Sequence, residues 1–285
     1  MKIDLHTHST YSDGTDTPTA LVAKAQQAGV GVLGLCDHDN FDGLPEAMEM
    51  GRRIGVRVIP GIELSACEGD NSIHVLGYGA NANDPELTAE LRKIVDSRSE
   101  RIPQTLTLLA ELGVQISLEE VRKKAAGSAI GRPHVADAMV DAGYVANRDE
   151  AFEKYLAVGK PAYVTRYATE IGRAIDLIHQ AGGAAVLAHP MIEGRGEQME
   201  VELIEQLTRR HGLDGIEVDH PSHDNHSREL LRQLGHRLGL VRTGGSDYHG
   251  TGKIGHELGC ETTRWTAAQE LITRIRRHGG NVPVL

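Results

Sequence analysis

Aromatic side chains are scarce in this sequence, which has two Phe, one Trp and seven Tyr, together 4% of its residues. Proteins that bind single-stranded nucleic acid usually stack successive bases on aromatic side chains. We therefore expect no extended nucleic-acid surface. Positive charge is also in deficit, because 40 acidic residues outnumber 30 Lys and Arg and give a formal net charge of -10. That balance argues against a general polyanion-binding surface.

Cysteines and long apolar runs are also few. Cys36, Cys67 and Cys260 are odd in number and lack C-x-x-C spacing, which argues against a disulfide framework or a structural zinc finger. No apolar run approaches the roughly 18 residues needed to cross a membrane. Only Met1 and Lys2 precede the first predicted strand, which leaves no room for a signal peptide. We therefore expect a cytoplasmic protein with no membrane partner.

Short apolar strands alternate with amphipathic helices over most of the 285 residues. Near-continuous apolar runs, such as 30–36 and 184–188, are typical of strands in a buried parallel sheet. Thr17 followed by Pro18 predicts a helix start, and Gly29 predicts the end of that helix. Repeated strand and helix units favour an α/β fold, most simply a barrel.

Strand signals disappear between about 84 and 160, where helical periodicity dominates, as in Leu87, Leu91 and Ile94. The alternation of strands and helices then resumes. We therefore predict a barrel domain built from 1–83 and 161–285, interrupted by a helical insertion domain over 84–160.

Histidine is unusually abundant, with 15 copies, and many of the polar residues lie at or near the ends of predicted strands. His6 and His8 are two residues apart, so on an extended strand they point to the same face. The carboxyl ends of parallel barrel strands converge on one mouth. We expect nine residues to meet there: His6, His8, Asp13, His38, Glu63, His74, His189, Asp247 and His249.

These nine side chains together indicate a metal site. Each alone has an ordinary structural interpretation, as a hydrogen-bonded core histidine, a turn residue or a surface charge. That many buried polar groups would be costly if they were unpaired. Imidazoles mixed with carboxylates suit Zn, Mn or Fe, and nine ligands are too many for one ion. The pattern therefore predicts two or three divalent ions, which could bind a phosphate oxygen and activate water.

The sequence resembles the polymerase and histidinol phosphatase (PHP) family over nearly its whole length. The motifs that carry the resemblance are His6-Thr7-His8, Ser12-Asp13-Gly14, Cys36-Asp37-His38-Asp39, Pro60-Gly61-Ile62-Glu63, Ile73-His74, Ala188-His189-Pro190 and Gly245-Ser246-Asp247-Tyr248-His249. The resemblance implies a distorted (β/α)7 barrel that holds a trinuclear metal centre. All nine ligand positions are filled, which argues against the non-catalytic members that are attached to polymerases.

The resemblance also implies a ligand assignment. It assigns three ligand sets: His6, His8, Glu63 and Asp247 for one metal, Asp13, His38 and His249 for a second, and His74 and His189 for a third, with Glu63 bridging. Asp37 is expected to orient a ligand or to assist proton transfer.

Within this family, the chain with its helical insertion resembles bacterial 3',5'-nucleotide bisphosphate phosphatases and a related 5'-to-3' RNA-trimming phosphoesterase. The motifs of this closer likeness are Arg98-Ser99-Glu100-Arg101, Gly131-Arg132-Pro133-His134, Lys154-Tyr155-Leu156, Gly159-Lys160-Pro161-Ala162-Tyr163-Val164 and Ser222-His223. One departure is that relatives continue the His-Pro pair with Gly-Arg-Tyr, whereas Met191 follows Pro190 here and Arg195 would supply the arginine.

Cations, five of them from the insertion, are expected to bind phosphate groups. The candidate substrate-binding residues are Arg98, Arg101, Arg132, His134, Lys160, Arg195 and His223. Arg132 and His134 are also expected to take part in catalysis, and Tyr163 and His223 to contact the sugar or the base.

We expect a metal-dependent phosphoesterase that uses metal-activated hydroxide to hydrolyse a phosphomonoester of a small nucleotide, such as a 3',5'-bisphosphate or AMP. Three alternatives stay open: a histidinol-phosphate phosphatase, a 5'-3' exoribonuclease acting on short RNA, and a non-catalytic scaffold that binds metals. A metal-free serine nucleophile is disfavoured, because Ser246 lacks the Gly-x-Ser-x-Gly elbow. The sequence leaves the native metals, the exact substrate and the oligomeric state open.

Overall fold

A computed structural model describes residues 1–69, 71–125, 130–165, 167–191, 197–280 and 282 of the chain. Its strands form one sheet. They are β1 (Lys2–Thr7), β2 (Val30–Leu35), β3 (Arg57–Glu68), β4 (Asn71–Tyr78), β5 (Thr169–Glu170), β6 (Ala184–Leu187), β7 (Gly215–Asp219) and β8 (Val241–Gly244). Across the sheet the order is β1-β2-β3-β4-β6-β7-β8, and β5 pairs with β3. Most of these neighbours are parallel, so the predicted α/β class is confirmed.

The fourth strand departs from the all-parallel sheet that the sequence predicts. β4 runs antiparallel to both β3 and β6. Because β3 ends at Glu68 and β4 begins at Asn71, the connection is too short for the crossover that a parallel pair requires. The same hairpin extends β3 to Glu68, so that Glu63 lies inside the strand and pairs with Leu76.

Helices follow most of the strands. They are α1 (Pro18–Gln27), α2 (Leu44–Ile54), α3 (Pro85–Glu111), α4 (Leu118–Ala125), α5 (Arg132–Asp141), α6 (Arg148–Ala151), α7 (Ile171–Gln180), α8 (Glu197–His211), α9 (Asn225–Leu238) and α10 (Trp265–His278). A π-helical turn, Phe152–Leu156, continues α6. As predicted, the Thr17 side chain accepts a hydrogen bond from the Ala20 N–H and Pro18 opens α1. None of the helices, within the described ranges, is long and apolar enough to cross a membrane.

The chain divides into two compact units. The first unit comprises 1–91 and 168–285, and the second unit comprises 92–167. The second unit begins after the predicted boundary at 84, because the opening turns of α3 belong to the first unit. There Leu87 and Leu91 are buried, and the Glu90 carboxylate accepts a hydrogen bond of 2.9 Å from the Thr169 hydroxyl.

Each unit has its own apolar core. In the first unit, Ile3, Leu5 and Val32 pack with residues of α10 on one side of the strands, and a separate cluster joins β2 and β3 to α1 and α2. In the second unit, Leu109 and Met139 are fully buried among the helices. Buried aliphatic side chains of this kind stabilise a fold by about 1.5–3 kcal/mol each. The polar site in the first unit therefore rests on a packed scaffold.

Two glycines of β2 provide a test of this packing. A Cβ at Gly34 would overlap the carbonyl oxygen of Leu5 and lie 2.7 Å from its carbon, and that backbone cannot move without disturbing β1. A Cβ at Gly31 would meet only the flexible side chain of Met1. We expect Gly34→Ala to lower the free energy of unfolding by about 1–3 kcal/mol. Gly31→Ala should change it by less than about 0.5 kcal/mol. Urea titration followed by circular dichroism measures both, and equal effects would contradict this packing.

Candidate metal centre

All nine predicted ligand residues lie in the first unit, at the end of the sheet where β1, β2, β6 and β8 finish. His8 directly follows β1, and His38 follows β2 after two residues. His189 follows β6, and Asp247 follows β8. His6 lies near the end of β1, and His74 lies on β4, as expected. Glu63 was expected just after a strand, but it lies within β3, because the antiparallel hairpin of β3 and β4 lengthens that strand.

The first set of side chains surrounds one oxygen of Glu63. Glu63 Oε2 lies 3.1 Å from His6 Nε2 and 3.0 Å from His8 Nε2. Asp247 Oδ1 lies 3.6 Å and 3.4 Å from the same two nitrogens. All four side chains are buried. Two imidazole nitrogens and two carboxylate oxygens therefore face a common point.

The second set lies beside the first and is more open to solvent. His249 Nε2 is 3.1 Å from Asp13 Oδ1, and His38 Nε2 is 3.7 Å from Asp13 Oδ2. The side chain of Asp13 is 43% exposed. His8 is shared between the sets, since its Nδ1 is 3.8 Å from Asp13.

The third set uses the other oxygen of Glu63. Glu63 Oε1 is 2.9 Å from His74 Nδ1 and 3.0 Å from His189 Nε2. His38 also borders this set, because its Nδ1 is 3.4 Å from Glu63 Oε2. The structure thus brings all nine residues together, with Glu63 in contact with members of every set.

The donor atoms suit divalent ions. The Nδ1 atoms of His38 and His74 are buried and face Glu63, yet neither has a hydrogen-bond partner among the described residues. A buried imidazole nitrogen without a partner costs free energy, unless its lone pair binds a metal. Imidazole with carboxylate is a ligand set that Zn, Mn and Fe accept. The side chains of the centre therefore fit the metals that the sequence predicts.

The charges of the side chains at the centre also favour the binding of cations. Burial alone would raise the pKa of Glu63, but His38, His6 and His74 hold it well below its usual value. Burial lowers the pKa of His38 to about 3, so this imidazole is neutral, as a metal ligand must be. Burial alone would also lower the pKa of His8, but Asp247 and Glu63 raise it to about 10. The ionised carboxylates therefore attract positive charge to this point.

A carboxylate that the sequence analysis missed supports the first set. Glu217, in β7, lies 3.1 Å from His6 Nδ1 and accepts a hydrogen bond of 2.9 Å from the His189 backbone N–H. A carboxylate on the distal nitrogen fixes the tautomer and orientation of a ligating imidazole. The only sequence signal was an acidic residue inside the apolar strand Gly215–Asp219.

His220 was also missed. Its Nε2 lies 3.2 Å from Asp247 Oδ2, and its ring is 5.4 Å from that of His223. His223 itself is buried, and its Nδ1 lies 2.9 Å from the Val218 carbonyl oxygen. The predicted substrate residue His223 is thus linked to Asp247 through His220. Lys253, a further cation that the sequence analysis did not select, contacts the same Asp247 oxygen.

Asp37 organises a loop. Its Oδ1 accepts hydrogen bonds of 2.7 Å from the Ser9 N–H and the Ser12 hydroxyl, and its Oδ2 accepts one of 2.7 Å from the Ser9 hydroxyl. That loop carries His8 and Asp13. Of the two roles expected for Asp37, the geometry favours orienting ligands over transferring a proton.

The backbone is strained at the centre. His189 and Asp247 have positive φ angles of 27° and 51°, and Asp39 and Met191 have angles of 56° and 66°. Non-glycine residues rarely adopt this region, and such strain concentrates at functional sites. These four are the positive-φ residues other than glycine in the described part of the chain.

The predicted cations of the insertion lie in the second unit. The guanidinium carbons of Arg101 and Arg132 are 5.6 Å and 5.4 Å from the centroid of the Tyr163 ring. Arg132 also lies over Phe152 and donates a hydrogen bond of 3.1 Å to the Leu156 carbonyl oxygen. Two guanidinium groups on one aromatic ring form a fixed, positively charged surface.

The remaining predicted substrate-binding residues have different positions and contacts. Arg98 lies one turn before Arg101 on α3. His134 Nδ1 accepts a hydrogen bond of 3.0 Å from the Gly131 N–H at the start of α5, which leaves its Nε2 as the donor atom. Lys160 is exposed and lies outside the regular elements. Arg195 lies outside the described residues.

Comparison with known proteins supports the resemblance. The family model of the PHP domain matches residues 4–111. A 3',5'-nucleoside bisphosphate phosphatase of Chromobacterium violaceum is 36% identical over 261 residues, which are 90% of this chain and 90% of that protein. The chain belongs to the PHP domain family. Within this family, the 5'-3' exoribonuclease Rnm of Escherichia coli is 34% identical over 248 residues, 86% of this chain and 84% of that protein.

A solved structure shows that the similarity includes the fold. A Bifidobacterium adolescentis protein assigned as a metal-dependent phosphoesterase is 30% identical to this PHP chain and superposes on it with a TM-score of 0.78. The match covers 95% of each chain. The resemblance that the motifs predicted is therefore confirmed in sequence and in fold.

The contact between Glu217 and His6 leads to a prediction. Glu217→Gln keeps the size of the side chain but removes the charge that orients His6, so metal affinity should fall about 10–100-fold. Asp219→Asn is the matched control on the same strand, because Asp219 pairs with Arg232 instead of a ligand. Competition with a chromophoric chelator measures the affinity of each variant for Mn²⁺. Equal affinities in the two variants would show that Glu217 does not support the centre.

Proposed function

We propose that this protein is a metal-dependent phosphoesterase that hydrolyses a phosphomonoester of a small nucleotide, with a 3',5'-bisphosphate as the favoured substrate. The observation that carries this proposal is the convergence of six imidazoles and three carboxylates in three adjoining sets at one end of the sheet. The bisphosphate phosphatase relative, 36% identical over 90% of the chain, supports the substrate class.

The proposed ligand assignment follows the three sets around Glu63. His6, His8, Glu63 and Asp247 would hold one ion, Asp13, His38 and His249 a second, and His74 and His189 a third, with Glu63 bridging. Contacts from both oxygens of Glu63 support the bridging role. Mn, Fe and Zn are the candidate metals, because each accepts imidazole and carboxylate. When bound, such ions polarise a phosphate oxygen and make water nucleophilic near neutral pH.

Other residues of the protein hold the proposed ligand side chains in position. Glu217 orients His6, and Asp37 holds the loop of His8 and Asp13. Asp247 accepts contacts from His220 and Lys253 at its second oxygen, which leaves Oδ1 directed toward the first set. Lys253 is a cation near the reacting phosphate in this proposal. The nucleophile and the leaving group would thus react in a preorganised polar site.

Arg101 and Arg132 are proposed to bind the second phosphate of the substrate. Guanidinium groups donate two parallel hydrogen bonds to phosphate, and stacking on Tyr163 limits the orientations that these two side chains can take. Tyr163 is proposed to fix both guanidinium groups, and Arg98, His134, Lys160 and His223 remain candidate substrate contacts.

For the fold, we infer a distorted barrel with the second unit inserted as a helical domain. Closure is supported by the hydrogen bonds that join the end of β1 to the loop after β8. The Asp247 N–H donates to the His6 carbonyl at 2.8 Å, and the His8 N–H donates to the Tyr248 carbonyl at 2.9 Å. The similar fold of the phosphoesterase structure supports the α/β class on which this inference rests.

A second candidate function is 5'-to-3' trimming of short RNA. The exoribonuclease relative, 34% identical over 86% of the chain, favours it. The chemistry at the metal centre would be the same, because each product is released by attack on a phosphate ester. The scarcity of aromatic residues favours the mononucleotide, since base stacking contributes much of the affinity for single strands.

A substrate panel tests the proposed function. Phosphate or nucleotide release is measured with Mn²⁺ from adenosine 3',5'-bisphosphate, AMP, histidinol phosphate and a short 5'-phosphorylated RNA. We expect preferential release from the bisphosphate that a chelator abolishes and added Mn²⁺ restores. Faster turnover of the RNA would establish the second candidate, and faster turnover of histidinol phosphate would replace both. Silence on every substrate with metal bound would indicate a scaffold.

Substitution of Asp247 tests the metal centre itself. Asp247→Asn removes a buried negative charge from the first set, so kcat should fall by at least about 100-fold, because metal-ion catalysis supplies several kcal/mol of transition-state stabilisation. Asp219→Asn, which touches no predicted ligand side chain, should retain activity. The thermal melting of both variants is measured in chelator to compare their folds. Full activity of Asp247→Asn would overturn the assignment.

Removal of one guanidinium tests the second-phosphate role. Arg132→Gln should lower kcat/KM for the bisphosphate about 10–100-fold, the loss expected for a hydrogen bond between charged groups, and should affect AMP less. Arg148→Gln is the control in the same unit, because Arg148 pairs with Asp137 on an exposed surface. Equal losses for the bisphosphate and AMP would assign Arg132 to general binding or structure.

A further inference from the structure

A separate group of potential ligands lies at the other end of the sheet in the first unit. His179 lies in the last turn of α7, His278 is the last residue of α10, and Asp214 directly precedes β7. One nitrogen from each imidazole and one oxygen of Asp214 lie within 4.8 Å of one another. The group adjoins Ala185 near the start of β6, whereas His189 of the metal centre follows the end of that strand.

The carboxylate of this group is held firmly in place. Asp214 is 2% exposed, and its Oδ2 accepts a hydrogen bond of 3.0 Å from the Ala185 N–H. Its own N–H donates to the Ala185 carbonyl, and its carbonyl accepts from the Val241 N–H, so its backbone is tied to two neighbouring segments. Because this carboxylate is already fixed in the folded protein, binding of an ion would cost little additional conformational entropy.

Both imidazoles present the same nitrogen to this carboxylate. His179 Nε2 is 2.8 Å and His278 Nε2 is 3.2 Å from Asp214 Oδ2. The two rings are stacked, with centroids 4.1 Å apart and planes inclined by 9°. Ligand atoms around a tetrahedral zinc ion bound at about 2.0–2.1 Å are separated by similar distances. The side chains of His179 and His278 are 17% and 27% exposed, so solvent ions can reach them.

The surroundings favour a cation. α7 and α10 both end at this group, and the carbonyl ends of helices carry partial negative charge. Asp214 is ionised, since hydrogen bonds from His179 and the Ala185 N–H lower its pKa although burial opposes this. The nearby cation is Arg274, whose Nη1 is 3.8 Å from Asp214 Oδ1. Its guanidinium also donates to the Gly239 carbonyl at 2.8 Å, so it need not remain on Asp214.

We propose that His179, Asp214 and His278 form a second divalent-cation site, suited to Zn²⁺, which is independent of the catalytic centre. Two imidazoles and one carboxylate supply three ligands, and the fourth position faces solvent. A bound ion would crosslink the ends of α7 and α10 to the start of β7 and would thereby stabilise the folded state.

The experiment counts bound Zn²⁺ in the full-length, tag-free protein after chelator treatment, by equilibrium dialysis followed by metal analysis. His278→Gln and, separately, His179→Gln retain a hydrogen-bond donor for Asp214 but remove a ligand nitrogen. Each variant should bind one Zn²⁺ equivalent fewer than the parent and keep its phosphoesterase activity. His211→Gln is the matched control, because His211 lies 3.0 Å from Asp176 in a pair with only one imidazole. It should bind as many equivalents as the parent.

Two results would overturn the proposal. Unchanged Zn²⁺ stoichiometry in both variants would mean that the group is only a hydrogen-bonded structural contact. Loss of an equivalent together with loss of activity would place the missing ion in the catalytic centre. Should either variant fail to fold, ¹⁵N spectra of the parent decide, since the ring nitrogens of His179 and His278 must shift with Zn²⁺ if the site exists and remain unmoved if it does not.

Discussion

The carboxylate of Glu63 is buried among five imidazoles, and the arrangement of the first unit depends on how that charge is compensated. Nitrogens of His6, His8, His38, His74 and His189 lie between 2.9 and 3.4 Å from its two oxygens. A buried carboxylate without compensation costs several kcal/mol. Imidazoles from strands and loops far apart in sequence therefore surround Glu63, and bound divalent ions would neutralise the remaining negative charge.

Three buried aspartates place the loops that carry the other residues of the centre. Asp37 binds Ser9 and Ser12 in the loop that leads to Asp13. Asp4 accepts hydrogen bonds from the Ser246 N–H and hydroxyl and from the Gly259 N–H, and so ties the loop of Asp247 to β1. Asp39 binds Ser65 on β3, beside Glu63. Each carboxyl group thereby fixes a segment of backbone, because its oxygens accept hydrogen bonds from N–H and hydroxyl groups of that segment.

The two units carry different chemistry. The first unit contains the imidazoles and carboxylates that suit metal ions, and the second contains the guanidinium groups of Arg101 and Arg132 on Tyr163. In the proposed function, metal ions would activate the reacting phosphate, and the guanidinium groups would bind a second phosphate. A net charge of -10 is compatible with an anionic substrate, because metal ions would neutralise the carboxylates locally.

The sequence by itself determined the α/β class, the helix cap at Thr17 and the nine residues that the structure brings together at the candidate metal centre. Those features depend on local periodicity, on side-chain chemistry and on short motifs, each of which is contiguous in the chain. Tertiary structure decided the antiparallel placement of β4, the support of His6 by Glu217 and the grouping of His179 with Asp214 and His278. β3 and β4 are consecutive strands that pair as a hairpin, whereas the contacts of Glu217 with His6 and of Asp214 with His179 and His278 join segments that are distant in sequence. Their partners are selected by packing across the sheet, which no short stretch of residues encodes.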